Sequence, residues 1–238
     1  MLEVSDLPRY EKVYAQTPYK SMRWLLKALN ISKSIVRLGP DKYNGTGTGF
    51  VFEGSWISDK FKDKKYIMTN AHVCSDDAEV RNQFPNPDAP EDLEATFLGK
   101  GSADSADEII CKRVVWTSPP SELDATLIEI ESFPKDIEPM EISKRTPPVS
   151  ENGDSRLNIL GHPKGLDMRV SLQDNTFVDQ DETYVWYKTP TDGGSSGSPV
   201  FNQDWKLVAL HHASSSAKRA NEGIRIDVLL EAMRKEMK

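Results

Sequence analysis

From about residue 31 onward the chain is chopped into short apolar or alternating runs, and no stretch there sustains a helical period. The first group reads "KSIVRL", "GTGFVF", "KYIMTNAHV", "LEATFLG", "EIICKRVVWT" and "DATLIEI". The second reads "RLNILGHP", "MRVSLQD", "TYVWYKT", "SPVFN", "KLVALHH" and "EGIRI". Gly, Pro, Asn and Asp punctuate them, which is the signature of strands joined by turns. A polar, proline-bearing connector, "EPMEISKRTPPVSENGD", separates the groups. Two equal groups of short strands predict an all-β fold of two six-stranded antiparallel β-barrels.

Helical periodicity is confined to the ends. Residues 5 to 30 read as helical, with Trp24, Leu25, Ala28 and Leu29 on one face. The closing "DVLLEAMRKEMK" reads as a helix capped by Asp227, with Leu229, Leu230 and Met233 as its apolar face and late lysines at its C-terminal end. The expected organisation is an N-terminal helical segment (1–30), a first barrel (31–135), a linker (136–154), and a second barrel with its C-terminal helix (155–238).

Composition narrows the function classes. The 238 residues can bury one large or two small cores. A formal charge of −7 argues against a nucleic-acid partner, which calls for a basic stripe. No apolar run reaches the roughly 20 residues of a membrane span. The opening "MLEVSDLPRYEKVYAQ" lacks the basic-then-apolar order of a secretory signal, so the expected location is cytoplasmic. Cys74 and Cys111 then read as free thiols, and neither has metal-ligand spacing. No metal or cofactor is expected.

Three stretches carry chemistry. In "YIMTNAHVC" an apolar strand delivers His72 among small residues. In "SELDATLIEI" Asp124 opens an apolar strand, where a carboxylate needs a partner or serves as a strand cap. In "TDGGSSGSPVF" glycines and serines precede a strand, and a serine there can sit on a turn with outward N–H groups. Serine becomes a nucleophile only when a base takes its proton. Histidine suits that role near neutral pH, and a carboxylate fixes its tautomer. His72 and Asp124 fall in the first strand group and Ser196 in the second, which places a site between the barrels. Ser195 and Ser198 are rival nucleophiles, and "DGGSSGS" is also a phosphate nest in form, without a P-loop lysine or helix N-terminus to support it.

In these motifs and their order the chain resembles the chymotrypsin-like, or trypsin-like, serine peptidases over roughly residues 31 to 228. "TNAHV" is similar to their histidine motif, "DATLIEI" to their aspartate strand and "GSSGSPVF" to their serine motif. "GSSGSP" and "GHPKG" resemble the bacterial branch that includes glutamyl endopeptidases. The resemblance implies Ser196 as nucleophile, His72 as general base, Asp124 as its orienter, and the N–H groups of Gly194 and Ser196 as an oxyanion hole. It also implies a protein or peptide substrate that pairs with the backbone from His212 through Ala213 to Ser214.

Departures from the family pattern matter too. The aspartate that pairs with a freed N-terminus in trypsinogen-type enzymes is replaced by Ser195, and no Ile-Val-Gly-Gly segment opens the barrel. Any switch is therefore expected from the N-terminal helical segment or from an activating partner docked there. Cys74 is displaced one residue from the family's disulfide position, so that bridge is not expected.

The specificity pocket of such enzymes matches "TPTDG", "LHHAS" and "NEGIRI". Thr191 and His211 resemble the pocket residues of glutamyl endopeptidases. Strand alternation sends His211 toward the pocket and His212 toward Asp124, and Gly223 and Arg225 toward the pocket as well. A Glu or Gln before the cut follows, unless Asp192 neutralises Arg225, or the histidines are packed strand residues and Arg225 a surface charge. "HHASSSAKRANEG" reads as a mobile loop beside the cleft. The leading function is a serine endopeptidase; the alternatives are a catalytically degenerate binding module on this fold and an adaptor docking through its N-terminal helix. "NEGIRI" after "ALHHA" is also similar to trypsin-like domains of bacterial defence systems.

Overall fold

Residue alternation along each strand sorts the apolar side chains into separate cores. A computed structural model describes residues 19–83, 87–98, 106–137, 140–150 and 153–238. Six strands form the first unit: β1 (Ile35–Gly39), β2 (Gly47–Glu53), β3 (Lys65–Thr69), β4 (Glu94–Phe97), β5 (Asp107–Ser118) and β6 (Ala125–Ile130). They close into an antiparallel barrel in the order β1-β2-β3-β6-β5-β4. Val51, Ile67 and Ile128 point into the barrel with Cys74 and Cys111, both free thiols. Their strand neighbours Phe50, Phe52, Tyr66, Met68 and Leu127 point outward into a second core. Because both faces are buried, β2, β3 and β6 read as nearly continuous apolar runs. Burial pushes both thiols up, that of Cys111 to about 12, so neither is a reactive thiolate near neutral pH.

The outward face of the first barrel packs on the second unit. There Leu160, Phe201, Trp205, Leu207, Leu210 and Ile224 complete the shared core. The second unit contains β7 (Asn158–Gly161), β8 (Arg169–Ser171), β9 (Phe177–Gln180), β10 (Tyr184–Tyr187), β11 (Pro199–Phe201), β12 (Leu207–Ser215) and β13 (Ala220–Arg225). Their order is β8-β7-β11-β12-β13-β10-β9. The all-β, two-unit expectation holds, with seven strands here rather than six. The extra strand, "FVDQ", is short, shows no alternation and runs between acidic residues, which hid it from the sequence pattern. An isolated bridge between Arg156 and Thr176 joins the segments leading into β7 and β9, but this unit is a seven-stranded sheet rather than the closed six-stranded barrel expected. Part of the connector is pinned as well: Ser143 N–H donates to the Leu207 carbonyl and Leu207 N–H to that of Glu141.

Among the described residues three α-helices frame the strands: α1 (Met22–Ile31), α2 (Ala78–Gln83) and α3 (Ile226–Glu236). The N-terminal helix is shorter than the sequence period predicted; residues 1–18 of that expectation lie outside the described residues. Ser21 caps α1. Its inner face is Trp24, Ala28 and Ile31, whereas Leu25 and Leu29 are exposed, because a 3.6-residue period puts i, i+4 and i+7 on one side. In α3, Leu229, Leu230 and Met233 are buried as predicted. Asp227 is not its cap: the helix begins one residue earlier, with Arg225 in the cap position.

Trp24 fastens α1 to the second unit. Its ring lies 4.8 Å from that of Trp205, and its indole N–H donates to the Gln203 carbonyl at 2.6 Å. Trp24→Ala is expected to lower unfolding free energy by about 2 kcal/mol, below the range for a fully buried tryptophan because the ring is only partly covered. Urea denaturation of the two proteins measures the difference.

Candidate active site between the barrels

Strand β3 ends at Thr69, and the turn that follows presents His72 at the seam. The Asn70 carbonyl accepts N–H bonds from Val73 and Cys74, holding that turn. Asn70 Nδ2 reaches across to the Asp124 carbonyl at 2.8 Å. Asp124 sits at φ 43, a left-handed conformation that aspartate tolerates better than most residues. Its carboxylate is buried and accepts from His72 twice: from the backbone N–H at 3.1 Å, and through Nδ1 at 2.7 Å. With Nδ1 turned to the carboxylate, Nε2 of His72 is left for the open side. Burial alone would push the Asp124 carboxyl up. Hydrogen bonds from His212 and His72 outweigh it and hold the group below its ordinary value.

The serine turn comes from the second unit. Gly194 and Gly197 adopt φ 83 and 85. A Cβ on Gly194 would meet the Gly165 nitrogen at 2.6 Å, and one on Gly197 the Thr48 carbonyl oxygen at 1.9 Å. Glycine is required at both by conformation and by space. Ser195 closes the turn on itself: its N–H donates to the Asp192 carbonyl, and its hydroxyl accepts from the Asp192 N–H at 3.2 Å. Ser196 is half-buried. Its hydroxyl makes no hydrogen bond to the His72 ring or to any other described residue, and the N–H groups of Gly194 and Ser196 donate to no described acceptor. Two N–H groups without an acceptor thus lie beside an unbonded hydroxyl.

Sequence reasoning passed over Thr48, which ties these pieces together. Its N–H donates to the Ser196 carbonyl at 2.9 Å and its Oγ1 to that of Gly194 at 2.8 Å. The same Oγ1 accepts from the His162 N–H at 2.9 Å, and the Thr48 carbonyl accepts from Thr69 Oγ1 at 2.7 Å. "GTGTGFVF" gave a faint signal, in that small residues flank a strand that must accept close backbone approach. His162 is also fully buried, with Nδ1 on the Leu166 carbonyl at 2.8 Å; burial holds it neutral, pulled down to about 4.

The predicted pocket residues disperse. His211 does not face a pocket: it is buried with Nδ1 2.8 Å from the Tyr187 hydroxyl, and burial pulls it down to about 3. A bulge in β12 between His211 and Ala213 breaks the simple alternation behind that expectation. Gly223 pairs with His211 and is buried under the Tyr187 hydroxyl. Arg225 is bound to Asp227 at 2.6 Å and to the Asp181 carbonyl at 2.7 Å, and Asp192 pairs with Lys164 instead. His212 does reach Asp124, Nδ1 to Oδ2 at 3.2 Å. Thr191 is half-buried, and Ala213 and Ser214 lie where β12 extends beyond its last pairing with β11 at Leu210, leaving that edge without a strand. The segment read as a mobile loop is a long β12–β13 hairpin whose turn is confined to residues 216–219.

Comparison with known proteins gives the family. Residues 47–210 match the model of the trypsin-like peptidase domain. The chain belongs to that family. It is 32% identical to the Sinorhizobium fredii protein y4fB across 92% of this chain, and spans about a third (33%) of that relative's length. A serine endoprotease from Yersinia pestis superposes with a TM-score of 0.60 at 14% identity, covering 92% of this chain and 67% of the other. An inactive form of Rv3671c from Mycobacterium tuberculosis H37Rv superposes with a TM-score of 0.55 at 14% identity, over 86% and 87%. At such identities the superpositions establish the fold. Among the described residues no helix is long and apolar enough to cross a membrane, and no cluster of metal-ligating side chains occurs.

Two outcomes follow from the buried groups. Thr48→Val keeps the shape and removes the hydroxyl, leaving the His162 N–H and Gly194 carbonyl without a partner. A loss of about 1–3 kcal/mol is expected in chemical denaturation. The second concerns pH. His162 and His211 stay neutral when folded down to about 4 and 3, but bind protons below about 6.5 once unfolded. The unfolded state therefore binds more protons across pH 4.5–6.5, and stability falls on acidification. His212, raised, acts with the opposite sign: its contribution is complete well below about 6.5 and is lost as pH rises above that value. His211→Gln should reduce the slope of unfolding free energy against pH by up to about 1.4 kcal/mol per unit.

Proposed function

We propose that the chain is a serine endopeptidase working through Ser196, His72 and Asp124. The observation that carries this reading is the orientation of His72: Nδ1 is bound to the buried Asp124 carboxylate, and Nε2 has no hydrogen-bond partner among the described residues. Ser196 Oγ transfers its proton to Nε2 as it bonds to the substrate carbonyl carbon. The resulting oxyanion is met by the N–H groups of Gly194 and Ser196. His72 then returns the proton to the leaving amine as the C–N bond breaks, which leaves an acyl group on Ser196. Water, deprotonated in turn by His72, releases the acid. The Ser196 hydroxyl must turn toward the ring for the first step; catalytic hydrogen bonds commonly tighten only when substrate arrives.

The edge of β12 beyond His211, whose own N–H and carbonyl pair with Ser198 and Gly197, supports an extended peptide substrate, which would add there as an antiparallel strand. Activation by insertion of a cleaved N-terminus has no acidic receiver in this turn, because Ser195 occupies that place and bonds back to Asp192. Preference for Glu or Gln before the cut rests on one feature. A cavity of about 430 Å³ beside that edge is lined by Lys188, Arg219, Ser214, Ser215 and Asn221, with two cations and no carboxylate. His211 and Arg225 do not supply that preference, since both are engaged elsewhere.

A fluorophosphonate probe should label the wild-type chain and not Ser196→Ala. Labelling of neither points to the degenerate binding module, and equal labelling of both to a different nucleophile such as Ser195 or Ser198. In a peptide library the wild type should favour Glu or Gln before the cut, and Lys188→Glu with Arg219→Glu should reduce that preference at least tenfold. A library dominated by Arg or Leu at that position rejects the preference without touching the nucleophile.

A further inference from the structure

The Asp124 carboxylate is shared. Oδ2 contacts Nδ1 of His72 at 2.7 Å and Nδ1 of His212 at 3.2 Å. On its other side, His212 Nε2 contacts Glu222 Oε1 at 2.8 Å. Glu222 is itself held by the Trp186 indole, whose N–H donates to Oε2 at 2.5 Å. The His212 ring lies flat on Tyr184, with centroids 5.6 Å apart and planes at 11°. His212 is thus gripped on both nitrogens and on one ring face, with its side chain only 13% exposed.

Proton counting decides the state of this ring. An ionised carboxylate only accepts hydrogen bonds, and a neutral imidazole has a single N–H. A ring with carboxylate oxygens at both nitrogens satisfies both contacts only as the imidazolium. The groups facing it agree: Asp124 from the loop before β6 and Glu222 from β13 are acidic, and Tyr184 from β10 offers a ring face. The adjacent His211 on β12 is neutral, and His72 stands behind Asp124. Burial opposes the charge, but the two carboxylates outweigh it and raise His212 above its ordinary value.

We propose that His212 is a positioning residue, a fixed imidazolium bridging Asp124 and Glu222 that locks the carboxylate onto His72 and so holds the His72 ring with its proton on Nδ1. The proposal rests on the endopeptidase reading for its catalytic meaning, but the bridge and the charge state belong to the fold. Asp124 Oδ2 is held from two sides, by Nδ1 of His72 and Nδ1 of His212, so it cannot swing away from the base. Glu222 keeps the cation charged, and Trp186 keeps Glu222 in place.

The experiment is imidazole NMR of the intact chain, whose four histidines give a small spectrum. At pH 7.5 the wild type should show His212 protonated on both nitrogens, assigned by its loss in His212→Gln. In His212→Gln the charge and the bridge to Glu222 are lost, and the downfield Nδ1–H signal of His72 should weaken or broaden by exchange. In the same variant kcat should fall while KM changes little. In Glu222→Gln, the midpoint of His212 itself should fall, which provides a folded second variant should the first be unstable. A neutral His212 at pH 7.5 overturns the proposal. So does an unchanged His72 Nδ1–H signal in His212→Gln, including the case in which activity drops through loss of fold alone. Absence of fluorophosphonate labelling in the wild type rejects the endopeptidase reading instead, and leaves the NMR outcomes to decide the proposal.

Discussion

The contacts of Thr48 hold the two halves of this molecule in register. Barrel packing alone is apolar and forgiving; it brings two surfaces together without fixing them to a fraction of an ångström. Thr48 adds direction. One buried residue on β2 bonds to the serine turn through its N–H and its hydroxyl, to the chain before the "HPKG" turn through that hydroxyl, and to Thr69, three residues before His72, through its carbonyl. The serine turn and the histidine turn, which come from different barrels, are thereby referred to the same atom group. The close approach to Thr48 and Thr69 is possible only because Gly197 carries no Cβ, and Gly194 leaves the same room for the turn at Gly165.

Electrostatics of the seam follow from that geometry. Asp124 is buried, and an unpaired carboxylate there would be costly. It is stabilised by two imidazoles, a backbone N–H and the neighbouring fold, and one of those imidazoles passes the compensation on to Glu222. The other two histidines are treated in the opposite way. His162 and His211 meet a backbone carbonyl and a tyrosine hydroxyl, so burial dominates and keeps them uncharged.

Much of the layout was legible because its signals are local. Turn residues mark the strand ends, and double-sided burial makes β2, β3 and β6 read as apolar runs. The failures have equally local causes. Strand β9 lacks alternation. Leu25 and Leu29 look like core residues only if one picks i and i+4 pairs without asking which face meets Trp205. His211 and Arg225 were assigned to a pocket by counting alternate residues. The bulge in β12 interrupts that count beside His211, and Asp227, two residues along, captures the arginine.

By itself the sequence determined the family, the strand-rich architecture, and the His72, Asp124 and Ser196 motifs, because each depends on residue types at short spacing. It also indicated that His212 turns toward Asp124. Only the tertiary structure decided that Thr48 joins the barrels, that Glu222 stands behind His212, and that the Ser196 hydroxyl is unbonded while His72 is already held. The Thr48 and His72 contacts depend on pairings between distant segments (Thr48 to Gly194 spans 146, His72 to Asp124 spans 52), and the His212–Glu222 contact on the register of a bulged hairpin. No local periodicity encodes which of many polar side chains will meet across such a distance; the closure of the barrels does.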